Sequence, residues 1–269
     1  MRNNTRRIIL RYLIVFKYYF LVNLKSILIY DVDYILGIAA LLLKNTLKFC
    51  ILLIIFHLIK TLDGWSFNQI LFLYGFSLTT YALWHCFFIN TISIPTMIQT
   101  GTFDRFLLRP ISPIFQIMCD GFDEDGWGDL LLGIIILSVA ALRLSMSGIY
   151  LLLLPVLLFA ASLIYAGISL LLSCIAFFTV GNSDFTDVTG YLAEFAKYPL
   201  PIYGRGLQCF FTYIIPVGFA AYYPSLFFIK GCANGLATLI VSPFVAVFFF
   251  LASCSIWNMC LRYYSSTGH

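Results

Sequence analysis

QILFLYGFSLTTYALWHCFFINTISI, Gln69 to Ile94, contains no Asp, Glu, Lys or Arg. About 20 mostly apolar residues suffice for a helix to cross a hydrocarbon core about 30 Å thick, so this stretch reads as a membrane span. Five further apolar runs lie around it: Tyr34 to Ile59, Leu130 to Leu144, Ile149 to Val180, Gln208 to Ile229 and Leu236 to Met259. The composition agrees, with 61% hydrophobic and 10% charged residues and a mean hydropathy of +0.95. Soluble domains average roughly 45–50% apolar and 25% charged residues, so a bilayer is the solvent this chain requires. The expected fold is an all-α, polytopic membrane protein of about six transmembrane helices, forming a single transmembrane domain over residues 1–269.

The cations orient it. With the N-terminus inside, Arg2, Arg6, Arg7, Arg11, Lys17, Lys25, Arg105, Arg109, Lys197, Arg205 and Arg262 fall on the cytoplasmic side. Only Lys60, Arg143 and Lys230 fall outside, which predicts that both termini are cytoplasmic. The opening MRNNTRRIILRYLIVFKYYF lacks a small-residue cleavage site, so no removable signal peptide is expected. At 100° per residue, Arg7, Arg11, Tyr18 and Lys25 share one face of a helix, with Ile9, Leu13, Phe16, Phe20 and Ile27 opposite. Residues 6–29 therefore read as an amphipathic helix lying in the headgroup plane. The alternative is a seventh, poor span, against which Arg11, Lys17, Asn23 and Lys25 count.

The first cytoplasmic connection, residues 95–127, contains QTGTFDRFLLRP, Gln99 to Pro110. Gly101 is expected to break the incoming helix, Thr102 to cap a new one ending near Leu108, and Pro110 and Pro113 to stop it. A helix of about two turns is marginal alone and needs a surface to pack against. CDGFDEDGWGDL follows, with Asp120, Asp123, Glu124, Asp125 and Asp129. Gly121 and Phe122 break the ligand alternation of a calcium loop, leaving helix capping and a solvated turn as the expectation. A second cytoplasmic connection is expected over residues 181–207, anchored by Lys197 and Arg205; the helical spacing of Phe185, Val188, Leu192 and Phe195 makes part of it an amphipathic extension of the fourth run, ended by Pro199 and Pro201.

Two features lie within the apolar runs. Lys44 and Lys48 are four residues apart and share a helix face. They mark either a polar cavity or pathway, or snorkelling ammonium groups paired to Asp31 or Asp33. Pro216, Gly218 and Pro224 interrupt the fifth run, giving either a kink or a re-entrant segment.

The catalytic inventory is thin. The chain has no phosphate-binding GxxxxGK[ST] loop, no GxSxG and no HExxH, and its eight cysteines form no CxxC pair. His57, His85 and His269 have no metal-ligand spacing, so no metal site is expected. Asp and Glu are nearly absent from the runs, which argues against a proton relay.

Three stretches taken together, QTGTFDRFLLRPISPIFQ, EFAKYPLPIY and YIIPVGFAAYYPSLFF, resemble the type-2 ATP-binding-cassette permeases of bacteria. The first carries the pattern G-x-[FL]-D-x-x-L-[LV]-[RK]-P as Gly101, Phe103, Asp104, Phe106, Leu107, Leu108, Arg109 and Pro110. The resemblance implies a permease subunit of an exporter in the bacterial plasma membrane, with a coupling helix at Thr102 to Arg109 seated on a separate ATPase chain. It implies that ATP and Mg are bound by that partner and no cofactor by this chain. A second permease half, identical or different, and membrane lipids complete the expected partners, with no nucleic acid. The aromatic face of Phe103 and Phe106 is expected to enter a groove of the ATPase, with Asp104 and Arg105 beside it. Lys44, Lys48 and the acidic cluster around Asp123 match no part of the pattern. An ATP-independent secondary transporter or a membrane assembly protein is the alternative reading; the absence of an internal repeat argues against the first.

Overall fold

The computed structural model describes residues 2–27, 31–59, 61–121, 124–146, 148–179 and 187–266. The chain is a polytopic all-α membrane protein; no strand occurs among the described residues. Its helices are α1 (Arg2–Ile27), α2 (Asp31–Leu58), α3 (Phe67–Phe88), α4 (Ile94–Gln99), α5 (Asp104–Leu107), α6 (Pro113–Cys119), α7 (Glu124–Arg143), α8 (Gly148–Leu151), α9 (Leu154–Ser173), α10 (Val188–Phe195), α11 (Gly204–Cys209), α12 (Tyr222–Lys230) and α13 (Cys232–Cys260).

Among the described residues, four helical stretches are long and apolar enough to cross a membrane: Phe67–Gln99, Gly126–Arg143, Leu154–Phe177 and Gly235–Tyr263. Helix α2, at 28 residues, has spanning length as well, at about 1.5 Å per residue. The central helix is α3, whose residues from Ile70 to Thr80 are all buried. In contrast, α13 leaves Phe244, Phe248, Leu251 and Met259 bare. In a bilayer such a face carries no penalty, because lipid tails are as apolar as the side chains.

Close packing holds α7 on α3. A Cβ at Gly133 would lie 2.6 Å from Thr79 Oγ1 and 2.9 Å from its backbone nitrogen, and one at Gly75 would lie 2.8 Å from the nitrogen of Leu137. Only hydrogen at these two positions lets the backbones approach, the usual device where no hydrophobic drive pulls helices together in lipid. Hydrogen bonds hold α9 on α3 instead. Trp84 Nε1 donates to Ser169 Oγ at 3.2 Å, Thr91 and Ser169 hydroxyls share a 2.8 Å bond, and Ser173 Oγ donates to the Thr91 carbonyl at 2.6 Å.

The expected fifth span is not a single helix. From Gly190, whose Cβ would meet the Tyr81 hydroxyl, the chain rises past Tyr74, where Lys197 sits 5.7 Å from the ring centroid. It reaches the start of α3, where Tyr222 packs on Trp65 and Phe228 on Phe72. The segment is thus stepped: α10, α11, a π-helical turn over Phe210–Ile214, a 3-10 turn over Val217–Ala220, and α12. These short elements begin at Val188, within the stretch expected as the second cytoplasmic connection. Lys197 is buried and paired with Glu194 rather than standing as a surface anchor.

The break in the segment falls at Ile215 and Pro216. Ile215 is extended (φ −116°, ψ 99°), as steric conflict with a following proline ring demands. Gly218 is buried against Leu200 and Tyr223, whose side chains leave no room for a Cβ. Pro224 interrupts nothing. It lies in the first turn of α12, where a missing N–H has no helical acceptor to lose.

Candidate coupling surface

At the end of α3 the chain runs through a 3-10 turn into α4, and Gly101 then reverses it with φ of +72°. That left-handed conformation is open to glycine at little cost. The reversed chain is tied back by Phe103 N–H to the Met97 carbonyl (3.0 Å) and Gly101 N–H to the Ile98 carbonyl (3.2 Å). Helix α5 is one turn, not two, and Thr102 does not cap it. Its hydroxyl instead meets Thr100 Oγ1 at 3.0 Å, within the reversal. Pro113 starts α6 rather than stopping α5.

Phe103 and Phe106 are both fully buried, at 0% exposure. The Phe103 ring lies 4.9 Å from Tyr264, 6.0 Å from Phe177 and 6.4 Å from Trp257. Phe177 lies in the 3-10 turn that follows α9, Trp257 near the end of α13 and Tyr264 just past it, so the aromatic face fills an intramolecular socket and is unavailable to a partner's groove. The physical reason is local: a one-turn helix has too little hydrogen bonding to stand alone and is stabilised by burying its apolar side against its own spans.

The polar side chains hold the segment on three sides. Asp104 accepts from Tyr264 Oη at 2.6 Å and from Ser266 Oγ at 2.6 Å. These two bonds, Ser266's foremost, hold its carboxyl below the usual range. Arg105 Nη2 donates to Asp120 Oδ2 at 2.7 Å, with its guanidinium 4.7 Å from the Phe106 ring centroid. Burial pushes the Asp120 carboxyl up, against the pull of Arg105 and Arg109. Arg109 Nη1 donates to Tyr19 Oη of α1 at 2.6 Å. Helix α1 also meets α6 through the Tyr12 and Phe115 rings, 4.7 Å apart, and through Asn23 Nδ2 to the Cys119 carbonyl at 3.1 Å. Buried Gln116 donates to the carbonyls of Phe106 (3.2 Å) and Ile111 (2.8 Å).

What remains outside is Thr102, Arg105, Leu107, Leu108, Arg109 and Pro110, with Leu108 86% exposed. The expected coupling segment is therefore divided: its phenylalanines face inward and its second leucine and the residues after it face outward. Tyr264, Ser266, Tyr19, Gln116 and Asp120 complete the assembly. Apart from Asp120, expected only as part of a solvated turn, sequence reading did not find them, because partners up to 162 positions apart leave no periodic signal.

Lys44 lies elsewhere, in a polar cleft of about 470 Å³ between α2, α3, α7 and α10, with Asn45, Asp129, Asp187, Glu194 and Lys197. Asn45 Nδ2 donates to Asp129 Oδ1. The side chains of Lys48, Asp31 and Asp33, and residue Asp123, lie outside what the structure describes.

Residues 42–268 match the family model of the ABC-2 family transporter protein. The chain belongs to the ABC-2 transporter family. It is a multi-pass membrane permease component of an ABC transporter. Comparison with curated proteins and with solved structures returned no match for either. Within this ABC-2 permease, the matched stretch begins inside α2 and takes in the reversed segment, the cleft and the stepped segment.

Proposed function

We propose that this permease is the membrane half of an exporter in the bacterial inner membrane. Both termini and the Gly101–Pro110 reversal are cytoplasmic, and a separate ATPase binds ATP and Mg and drives the cycle. A second permease half, alike or different, completes the path. The observation that carries this is the divided segment: exposed Leu107, Leu108 and Arg109 on one side, and Phe103 and Phe106 socketed among the ends of α9 and α13 on the other.

A protein seated on the outer side moves the socketed rings, and with them the ends of two spans. Arg109 passes the same displacement to α1 through Tyr19. Nucleotide then shifts the permease between inward and outward states to the extent that the seated partner contacts them differently. Export is the direction assigned because the Gly101 to Pro110 segment resembles that of the bacterial type-2 permeases, and an exporter is what that resemblance implies.

The test is mild detergent purification from native membrane with ATPase assay. A stoichiometric nucleotide-binding chain that is lost with Leu108→Asp supports the reading. Purification without an ATPase, even after cross-linking, overturns it.

A further inference from the structure

Helices α7 and α9 both pack on α3 but hardly on each other. A slot of about 680 Å³ lies between them. Helix α3 closes its back with Thr79 and Leu83, and the slot follows α7 from Leu130 to Leu142, about 18 Å at 1.5 Å per residue. Both flanking helices belong to stretches long and apolar enough to cross a membrane, so the slot lies at the depth of the hydrocarbon. Its inner wall is buried at Leu137, Leu154 and Leu158, while its rim is exposed at Ile134, Leu142 and Phe159. The opening therefore faces away from the bundle, toward lipid.

The walls are chemically almost uniform. Apart from Thr79, Ser138 and Ser145 every lining residue is apolar, and the Thr79 hydroxyl already donates to the Gly75 carbonyl at 2.7 Å. A bound water needs about two to four polar partners, which these walls do not offer. The character changes only at one end. There Ser145 and Met146 also line a second cavity of about 440 Å³, together with Tyr150, Lys230 and Gly231. An apolar slot thus runs into a cavity of mixed polarity.

We propose that the slot between α7 and α9 binds one acyl chain of a membrane phospholipid, with the polar end of the lipid beside Tyr150 and Lys230. The site is separate from the coupling surface and does not depend on an ATPase. Wall atoms with nothing opposite them lose their dispersion contacts, and the molecule that a bilayer supplies at this depth is an acyl chain. The length agrees. A hydrocarbon core about 30 Å thick leaves about 15 Å for a chain that reaches from one surface to the midplane. The competing occupant is a helix of a second permease half. As a cylinder about 10 Å across and about 18 Å long, it would fill roughly 1,400 Å³, about twice what the slot holds, whereas a single chain is thin enough to follow the walls. Bare faces elsewhere are different in kind: Phe244 and Phe248 of α13 are 72% and 75% exposed, so lipid meets them as solvent.

The test is photolabelling of the full chain in vesicles of phosphatidylethanolamine and phosphatidylglycerol, doped with a phosphatidylglycerol whose palmitoyl chain carries a diazirine. With the diazirine near the methyl end, label should concentrate at Leu130 and Ile134, about tenfold above Phe244 and Phe248. With the diazirine near the glycerol end, it should move to Ser145 and Met146. Equal labelling of the slot and of α13 overturns the inference, and so does the reverse order of the two probes. A second arm is native mass spectrometry after release from nanodiscs of the same lipids. Wild type should keep one phospholipid per chain. Ser138→Trp grows into the slot from an exposed lining position and should keep about tenfold less. Ile135→Trp, exposed on the same helix outside the slot, should match wild type. Equal retention by Ser138→Trp and wild type overturns the inference. If Ser138→Trp does not fold, the wild-type labelling ratio decides. An unlabelled slot, with Ser138→Cys cross-linking to a second copy, assigns the slot to a protein interface and overturns the lipid.

Discussion

The hydroxyl of Tyr264 donates to Asp104 Oδ1 at 2.6 Å, across 160 positions of sequence. Ser266 occupies the other carboxylate oxygen, so the tail beyond α13 clasps the segment proposed to meet the ATPase. The Tyr264 ring stacks edge-on against Phe103 in the same contact. Tail and segment therefore move together.

This clasp is pH-dependent in a defined direction. The Asp104 carboxyl is held below its ordinary 3.8 by Ser266 and Tyr264. A depressed carboxylate contributes stability that is present above its unfolded value and is lost as pH falls through its folded value. Thermal unfolding of wild type in detergent should lose midpoint on acidification below about pH 3.8 more steeply than Asp104→Asn. Parallel curves for the two proteins would show that the clasp carries no such dependence.

Inner and outer sides of the segment should separate in mutagenesis. Phe106→Ala empties a fully buried site and should destabilise by about 3–5 kcal/mol, as large aromatic deletions do. Leu108→Asp changes an exposed residue and should leave stability within about 0.5 kcal/mol while lowering ATPase association. Unfolding midpoints and co-purified ATPase activity, measured on the same preparations, check both; equal loss of stability in the two variants would contradict the division.

Gly133→Ala should lower the thermal midpoint, because its methyl group would overlap the Thr79 backbone. Forcing α7 off α3 by such overpacking costs about 1–3 kcal/mol. Gly206→Ala, where nothing lies within 4 Å of the added carbon, is the matched control and should be neutral or stabilising by up to about 1 kcal/mol.

Lys197 and Glu194 should behave as a unit. Removing the carboxylate with Glu194→Gln leaves the Lys197 ammonium, itself 7% exposed, with a weaker partner over the Tyr74 ring. Because Glu194 is half-exposed, the expected loss is about 1–2 kcal/mol, less than for a fully buried pair. Adding Lys197→Met should recover most of it. A double-mutant cycle on unfolding midpoints checks the coupling, and additive losses would contradict it.

The membrane spans were legible because their signal is local: an uncharged run such as Gln69–Ile94 has only one low-energy arrangement in lipid, a hydrogen-bonded helix. The reversal at Gly101 was legible for a similar reason, since only one residue there takes a positive φ readily. The stepped segment was harder to read. Val188 to Phe195 has the spacing of an amphipathic helix, and α10 does bury Thr189, Leu192 and Ala193 while Tyr191 and Glu194 stay exposed; the cleft that its polar side lines was not visible in that spacing. Pro224 looked disruptive and is not, because its effect depends on its place in the turn.

By itself the sequence determined the class of fold, the approximate positions of the four long apolar helices and the place of the segment between α3 and α7. Those follow from hydrophobicity, chain geometry and backbone hydrogen bonding, which act over a few residues. Only the tertiary structure decided that Phe103 and Phe106 face inward, that Tyr264 and Ser266 hold Asp104, and that Lys44 shares a cleft with Asp187. Those depend on which helix ends meet in space, and contacts between distant residues leave no periodicity in the chain.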